Sequence, residues 1–479
     1  MNTTAQAIGA AIHQRRTRYD QSGWPLWLVV VVIPLLLPYT ALSIGGGSAI
    51  RLIFPGYIFV CALWIIGWRK DIYLPFVLAV FAFAPFLRRV ADFHYGFALT
   101  NPILVAPYFG LLPTLPSFFR QLTGRGTGPV WPFAIMVICI GVGEFNAMLQ
   151  TPSVSNVFEA IRWSLPLSLC TFIIEHSAMA DMIRRRFIHA FLIVLPVLTL
   201  YGIYQYAYAP PWDDAWMLNI GSTSFGEPEP FKIRVFSMMN SPYSVAIYAV
   251  MGMIILSAEG LLGLLESALA IGLVAVTLVR TAWIGLLVGL LVQFIRGTPG
   301  TKLVLIAGAG AITFGCIALL ESPLIPPDIA NIVTERLSTF TALGTDVSAN
   351  ARQGVYSSFF DRLADAPFGE GFGVNLSTAT MAQKRNLEAI DSGVLETFLT
   401  FGVILGTAYF VALAALVAEA FRASRLLAGR LAGFFGVVCC SIAICPLGVT
   451  QVGEVGVLEW SVFGILVATA YSREAERTR

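Results

Sequence analysis

Long apolar runs, repeated from end to end, constrain this chain more than anything else in it. About fourteen such runs, each roughly 15–25 residues, lie near 25–43, 49–67, 72–87, 97–117, 129–143, 161–176, 187–208, 242–257, 260–278, 282–295, 303–320, 393–418, 431–449 and 457–471. Apolar stretches of that length satisfy their backbone polar groups inside a bilayer only as helices, because an open strand would leave them unpaired. The runs do not alternate polar and apolar residues, so they are not barrel strands. Hydrophobic residues make up 57% of the 479 and charged residues 12%, which excludes a string of soluble domains. The expectation is an all-α polytopic membrane protein.

The polar stretch 1–23 carries Arg15, Arg16 and Arg18 ahead of the first run. It reads as a retained cytoplasmic tail and not as a cleavable signal. With that tail inside, Arg69–Lys70, Arg120–Arg125, Arg184–Arg186, Arg296–Lys302, Arg422–Arg430 and Arg473–Arg479 all fall on the cytoplasmic side. Both termini are then cytoplasmic and the basic residues obey the positive-inside bias. Residues 1–320 form a first transmembrane part, 321–392 a large outer loop, and 393–479 the C-terminal spans.

The exceptions to the bias are informative. Arg88 and Arg89 follow the third run, Arg162 begins the sixth, Arg234 lies in the outer loop 209–240, and Arg280 ends the ninth. A cation on the translocated side of a short loop runs against insertion and calls for a role. Arginine offers a planar fork that grips phosphate at two points. Arg234 stands just before Asn240, Ser241 and Pro242, an N-cap followed by proline, so it sits above the positive end of a helix dipole. Pairing with Glu227 or Glu229 is the plainer alternative for it, and snorkelling beside Trp283 is the plainer one for Arg280.

In the large loop, short surface helices are expected around 328–340 and 350–364. The glycines flanking Glu370 permit a tight turn. Asp391 and Glu396 enter the membrane edge from the same side as both arginines. Either could act as a general base, and Asp391 equally fits a helix N-cap. Arg88, Arg89, Asp92, His94 and Tyr95 could line a sugar-binding surface, or form a paired interfacial cluster. The seven cysteines lie in apolar stretches without metal-ligand spacing, and there is no nucleotide-binding glycine pattern, so no cofactor, metal or nucleic-acid partner is expected.

Taken in order, these segments resemble the O-antigen ligase and Wzy-type polysaccharide polymerase family over roughly residues 230–410. The resemblance rests on Arg234 before Asn240 and Pro242, and on Arg280, Thr281 and Ala282. It continues through Arg352, Tyr356 and the stretch Pro367, Phe368, Gly369, Glu370, Gly371, then Asp391, Ser392, Phe401, Gly402 and Gly406. It implies a fold similar to that family's and an inverting, metal-independent glycosyl transfer at the outer face of a bacterial inner membrane. It also implies an undecaprenyl-diphosphate-linked oligosaccharide as donor, with flippase and chain-length regulator proteins as partners beside membrane lipids. Arg234 and Arg280 would hold the diphosphate, Asp391 or Glu396 would serve as base, and Arg352, Glu370 and Asn240 would bind substrate. The ligases carry a histidine late in the large loop, whereas the histidines here are His13, His94, His176 and His189. That departure favours a repeat-unit polymerase over a ligase. A transporter of the same lipid is the alternative from another class, with Glu266 inside the ninth run as its main support.

Overall fold

A computed structural model of the protein describes residues 26–150, 152–221, 223–320, 359–373, 392–426 and 431–477. Among these the chain is helical throughout, with no strand beyond one isolated bridge between Gly226 and Ile233. We number the helices α1 (Leu28–Ser43), α2 (Ile50–Trp68), α3 (Lys70–Tyr95), α4 (Pro102–Leu122, broken by prolines), α5 (Trp131–Gln150), α6 (Val154–Glu175), α7 (Ala180–Tyr208) and α8 (Pro211–Ile220). They continue as α9 (Pro242–Leu256), α10 (Leu261–Thr277), α11 (Arg280–Arg296), α12 (Pro299–Leu320), α13 (Gly393–Leu426), α14 (Ala432–Ile444) and α15 (Gly453–Arg477). Each of the apolar runs in the sequence carries helix. Among the described residues eight helices are long and apolar enough to cross a membrane: α2 to α7, α13 and α15. α1, α9, α10 and α14 are apolar but shorter.

Helix α3 is the axis of the bundle. Every residue from Asp71 to Asp92 is buried, as expected of a helix apolar on all sides and enclosed by protein. Neighbouring α2 has a comparable mean hydropathy, yet only 28% of its apolar window is buried, and Leu52, Ile53 and Val60 face outward. That helix leaves most of its apolar surface uncovered by the rest of the protein. α15 is enclosed like α3, packing on α6 and α13.

The charges gather at the two ends of α3, which at 1.5 Å per residue is roughly 39 Å long. At its N-terminal end Arg69 pairs with Asp71 at 2.8 Å, and Arg186 reaches the same carboxylate at 3.3 Å. Lys70 lies 2.9 Å from His176, and Arg120 binds Glu175 at 2.7 Å. At the C-terminal end lie Arg88, Arg89 and Asp92 with the segment that carries Arg234. The helix runs to Tyr95, two turns beyond the apolar run at 72–87, because these charged residues find protein partners and need not leave the helix. Arg88, Arg89, Asp92 and the Arg234 segment therefore share one end of α3.

One segment of the large loop is visible. Residues 359–365 are helical, overlapping the end of the surface helix expected around 350–364. The expected helix at 328–340, with Arg352, Tyr356 and Asp391, lies outside the described residues.

Candidate functional site

Helix α9 begins as the sequence suggests. Ser241 is the N-cap, accepting from the Ser244 amide at 3.1 Å, and Pro242 takes the first helical position. Asn240 stands one residue earlier and is exposed. Upstream, residues 234–239 have no regular structure of their own, so their backbone groups find partners on other segments, side chains among them. Gln205 on α7 accepts from the amides of Phe236 and Ser237 at 3.0 and 2.8 Å. Arg89 on α3 donates to the Met239 carbonyl at 2.7 Å and to the Ser237 carbonyl. Its third contact is Asp213 on α8, Nε to Oδ1 at 2.6 Å, and its guanidinium lies over the Phe236 ring at 4.7 Å.

Asp213 is the hub of this network. Besides Arg89 it accepts from Tyr201 at 2.7 Å and from Gln205 at 2.6 Å. Arg89 and Asp213 are 1% and 0% exposed at the side chain, so the pair is wholly inside the protein. The network holds Ser237 at φ +49°, a conformation unusual for a residue with a side chain. It fixes the approach of the chain to α9.

The Arg280 turn docks on the same segment. Helix α10 ends at Thr277, Leu278 reverses the chain at φ +58°, and Arg280 opens α11. The Val235 amide donates to Val276 O at 3.1 Å, and Arg234 Nε approaches Thr277 O at 3.5 Å. Arg234 thus touches a carbonyl only three residues before Arg280. Both arginines are half-buried. Glu227 and Glu229, the carboxylates closest to Arg234 in sequence, are engaged by Lys232 at 3.1 and 2.7 Å. Hydrogen bonds to Glu229 and then Glu227 hold the exposed Lys232 ammonium above its usual pKa.

The start of α13 reaches this region through the connector between α14 and α15. Ser392 caps α13 by accepting from Leu395 N at 3.3 Å, which puts the cap one residue after Asp391. Glu396 is buried in the first turn. The Gly393 amide donates to Gly448 O at 3.3 Å, Tyr243 of α9 to Val449 O at 3.2 Å, and Ser244 to Glu454 at 2.5 Å. The first turn of α13, which carries Glu396, and the α9 start are therefore tied to the same eight-residue connector, 445–452.

The remaining sequence-derived residues are structurally engaged. Arg88 and Arg51 share Asp92, at 3.2 and 3.1 Å, and Asn101 donates to it at 2.8 Å. Arg88, Arg89 and Asp92 thus form a buried, paired cluster, not an open surface. Arg162 pairs with Glu159 at 2.6 Å. Glu370 is held bidentately by Arg362 at 2.9 and 2.7 Å.

The turn around Glu370 docks against a break in α13. Gly402 sits at φ +76° within that helix, and Gly369 and Gly371 are at φ +87° and +82°. The Glu370 and Gly371 amides donate to Leu399 and Thr400 carbonyls at 2.7 and 3.1 Å, and Val403 N to Pro367 O at 3.1 Å. A Cβ on Gly402 or Gly369 would run into the opposing backbone. Asn146 also ties to Phe368 O at 2.8 Å, beside a shallow cavity of about 240 Å³ lined by α5 and residues 366–369. That cavity contains neither arginine.

Sequence reasoning did not single out Asp213, Gln205, Tyr201 or Arg51. Gln205 was detectable as an amide inside an apolar run, where a polar group needs partners. No protein-family model matches the chain, and no curated protein matches it.

Proposed function

We propose that the protein is a membrane glycosyltransferase that polymerises undecaprenyl-diphosphate-linked oligosaccharide repeat units, at the outer face of a bacterial inner membrane. The observation that carries the reading is the docking of the Arg280 turn against the Arg234 segment through Val235 N and Val276 O at 3.1 Å. Two guanidinium-bearing segments on one face, beside the N-terminus of α9, suit a diphosphate.

In the proposed reaction a sugar hydroxyl of one lipid-linked unit attacks the anomeric carbon of a second. A new C–O bond forms with inversion, the anomeric carbon–phosphate oxygen bond breaks, and undecaprenyl diphosphate leaves with the electron pair. Arg234 and Arg280 stabilise the charge that grows on the diphosphate; such fixed donors are worth about 10²–10³ in rate each. The hydroxyl proton passes to a carboxylate. Glu396 and Asp391 are the proposed bases, because Glu370 has both oxygens committed to Arg362. Arg89, Gln205 and Asp213 act as positioning residues for the Arg234 segment.

Purified protein in lipid nanodiscs, supplied only with lipid-linked repeat units, tests the reading. The expected product is a ladder of longer glycans still on the lipid. Transfer to a different acceptor would make it a ligase. Movement of intact substrate across the bilayer without a new glycosidic bond would make it a transporter, the reading that acids inside spans such as Glu266 favour.

A further inference from the structure

The cavity between the last turn of α5 and residues 366–369 has two walls that the fold holds in place. Asn146, Leu149 and Gln150 share one face of α5, at the spacing of a single helical turn. The opposite wall is the turn from Ala366 to Gly369, closed by the Gly369 amide donating to Ala366 O at 2.9 Å. Val403 N fastens that turn to α13 through Pro367 O at 3.1 Å, and Asn146 Nδ2 fastens it to α5 through Phe368 O at 2.8 Å. The hollow of about 240 Å³ is therefore preformed.

It lies toward the end of the bundle that carries the Arg234 segment. Helix α6 runs antiparallel to α3, since Phe172 packs on Tyr73 near the start of α3 while Phe158 meets Phe81 through Tyr108. Asn156, in the first turn of α6, donates to Ala147 O on α5 at 3.4 Å. The C-terminal end of α5 thus stands on the side of Arg88 and Arg89.

The lining selects the ligand. Among the described residues, Asn146 Oδ1 and the Gln150 amide have no hydrogen-bond partner, so neutral donors and acceptors border the cavity. No charged side chain is among its lining residues, and neighbouring Glu370 is held by Arg362 at 2.9 and 2.7 Å. A phosphate would find no cation there and a metal ion no carboxylate. An acyl chain would take water from both amides and give no hydrogen bond back. Phe368 is 59% exposed and Leu149 69%, which places apolar surface beside the amides. Amides next to an aromatic ring match a pyranose, whose hydroxyls both give and take hydrogen bonds and whose C–H face is apolar. Pockets for drug-sized ligands run to about 300–1,000 Å³, so this smaller one holds roughly a single ring.

We propose that this cavity is a saccharide subsite that holds one uncharged pyranose of a glycan through Asn146, Gln150 and Phe368. Its role rests on the glycosyl-transfer reading: it recognises a sugar away from the bond being made, because neither Arg234 nor Arg280 lines it.

Full-length protein in lipid nanodiscs tests the subsite. The probe is a set of neutral oligosaccharides released by mild acid from the surface polysaccharide of the cell that makes this protein. Saturation-transfer NMR should show saturable binding, strongest at the C–H protons of one ring and unaltered by inorganic phosphate. Gln150→Leu and Phe368→Ala change exposed side chains, so melting temperatures should hold while each weakens binding about tenfold. Wild-type affinity in both variants overturns the proposal, and so does the lack of saturable binding to the unaltered protein, even where polymer forms. Labelling of Phe368 by a photoreactive phospholipid that the oligosaccharides fail to displace also overturns it, making the cavity a lipid groove. Binding that both variants weaken, in nanodiscs that form no polymer, keeps the subsite and sinks the transferase reading instead.

Discussion

Replacing Arg89 by methionine removes the cation from the most enclosed ion pair at the candidate site. Asp213 would keep its hydrogen bonds from Tyr201 and Gln205 but lose the charge at 2.6 Å. Breaking a buried pair from one side costs about 3–5 kcal/mol. The carbonyls of Ser237 and Met239 also lose their donor, at about 1–3 kcal/mol for each one left dry. Methionine packing against Phe236, and the two donors left on Asp213, offset part of this. A net loss of about 4 kcal/mol is therefore expected, roughly a thousandfold in the unfolding equilibrium. The measurement is reversible unfolding in mixed micelles, followed by tryptophan fluorescence. Arg89→Met with Asp213→Asn should recover about 2 kcal/mol relative to the sum of the single changes, since the orphaned charge is gone. The Arg234 segment would also drift, and a shift of about 1 Å at a reacting centre costs about a hundredfold in rate. A loss below about 1 kcal/mol for Arg89→Met, or additivity within about 0.5 kcal/mol, would refute the claim that this pair pins the segment.

Arg234→Ala and Arg280→Ala should each lower glycan polymerisation about 10²–10³-fold while the protein inserts and melts normally; gel-resolved glycan ladders and melting curves check both. Gly402→Ala should destabilise the protein by about 1–3 kcal/mol or more, because φ +76° strains any side chain and the new methyl meets the Pro367 carbonyl; unfolding in mixed micelles reads the loss. Burial lowers the pKa of His176, opposed in part by its bond to the Phe172 carbonyl. The unfolded chain then takes up a proton near pH 6.5 that the folded chain resists. This contribution to stability is whole above about pH 6.5 and declines as pH falls below it. His176→Gln should flatten that part of the pH–melting profile, and an unchanged profile would count against the assignment.

Much of the architecture was legible without coordinates, because lipid leaves the backbone little choice. Apolar runs had to be helices, Ser241 with Pro242 marked the start of α9, and the glycines near Glu370 marked a close-packed turn. Arg234 and Arg280 stood out as cations at span ends that the positive-inside pattern assigns to the outer face, an expectation that a sequence displays locally. Asp391 and Arg352 were equally visible in sequence but lie outside the described residues.

What tertiary structure alone decided was who faces whom. α2 and α3 read almost alike in hydropathy, yet one is largely uncovered by protein and the other is entirely enclosed, since lipid and protein interior alike select apolar side chains. The partners of Arg89 lie 124 residues away at Asp213 and 150 away at Met239, on elements whose own sequences give no hint of the meeting. For Arg88, Arg89 and Asp92 the sequence left a sugar-binding surface and a paired cluster both open, and packing shows the paired, buried arrangement. A charge announces in sequence that it needs a partner, whereas the partner is chosen by packing, through distances that no local pattern encodes.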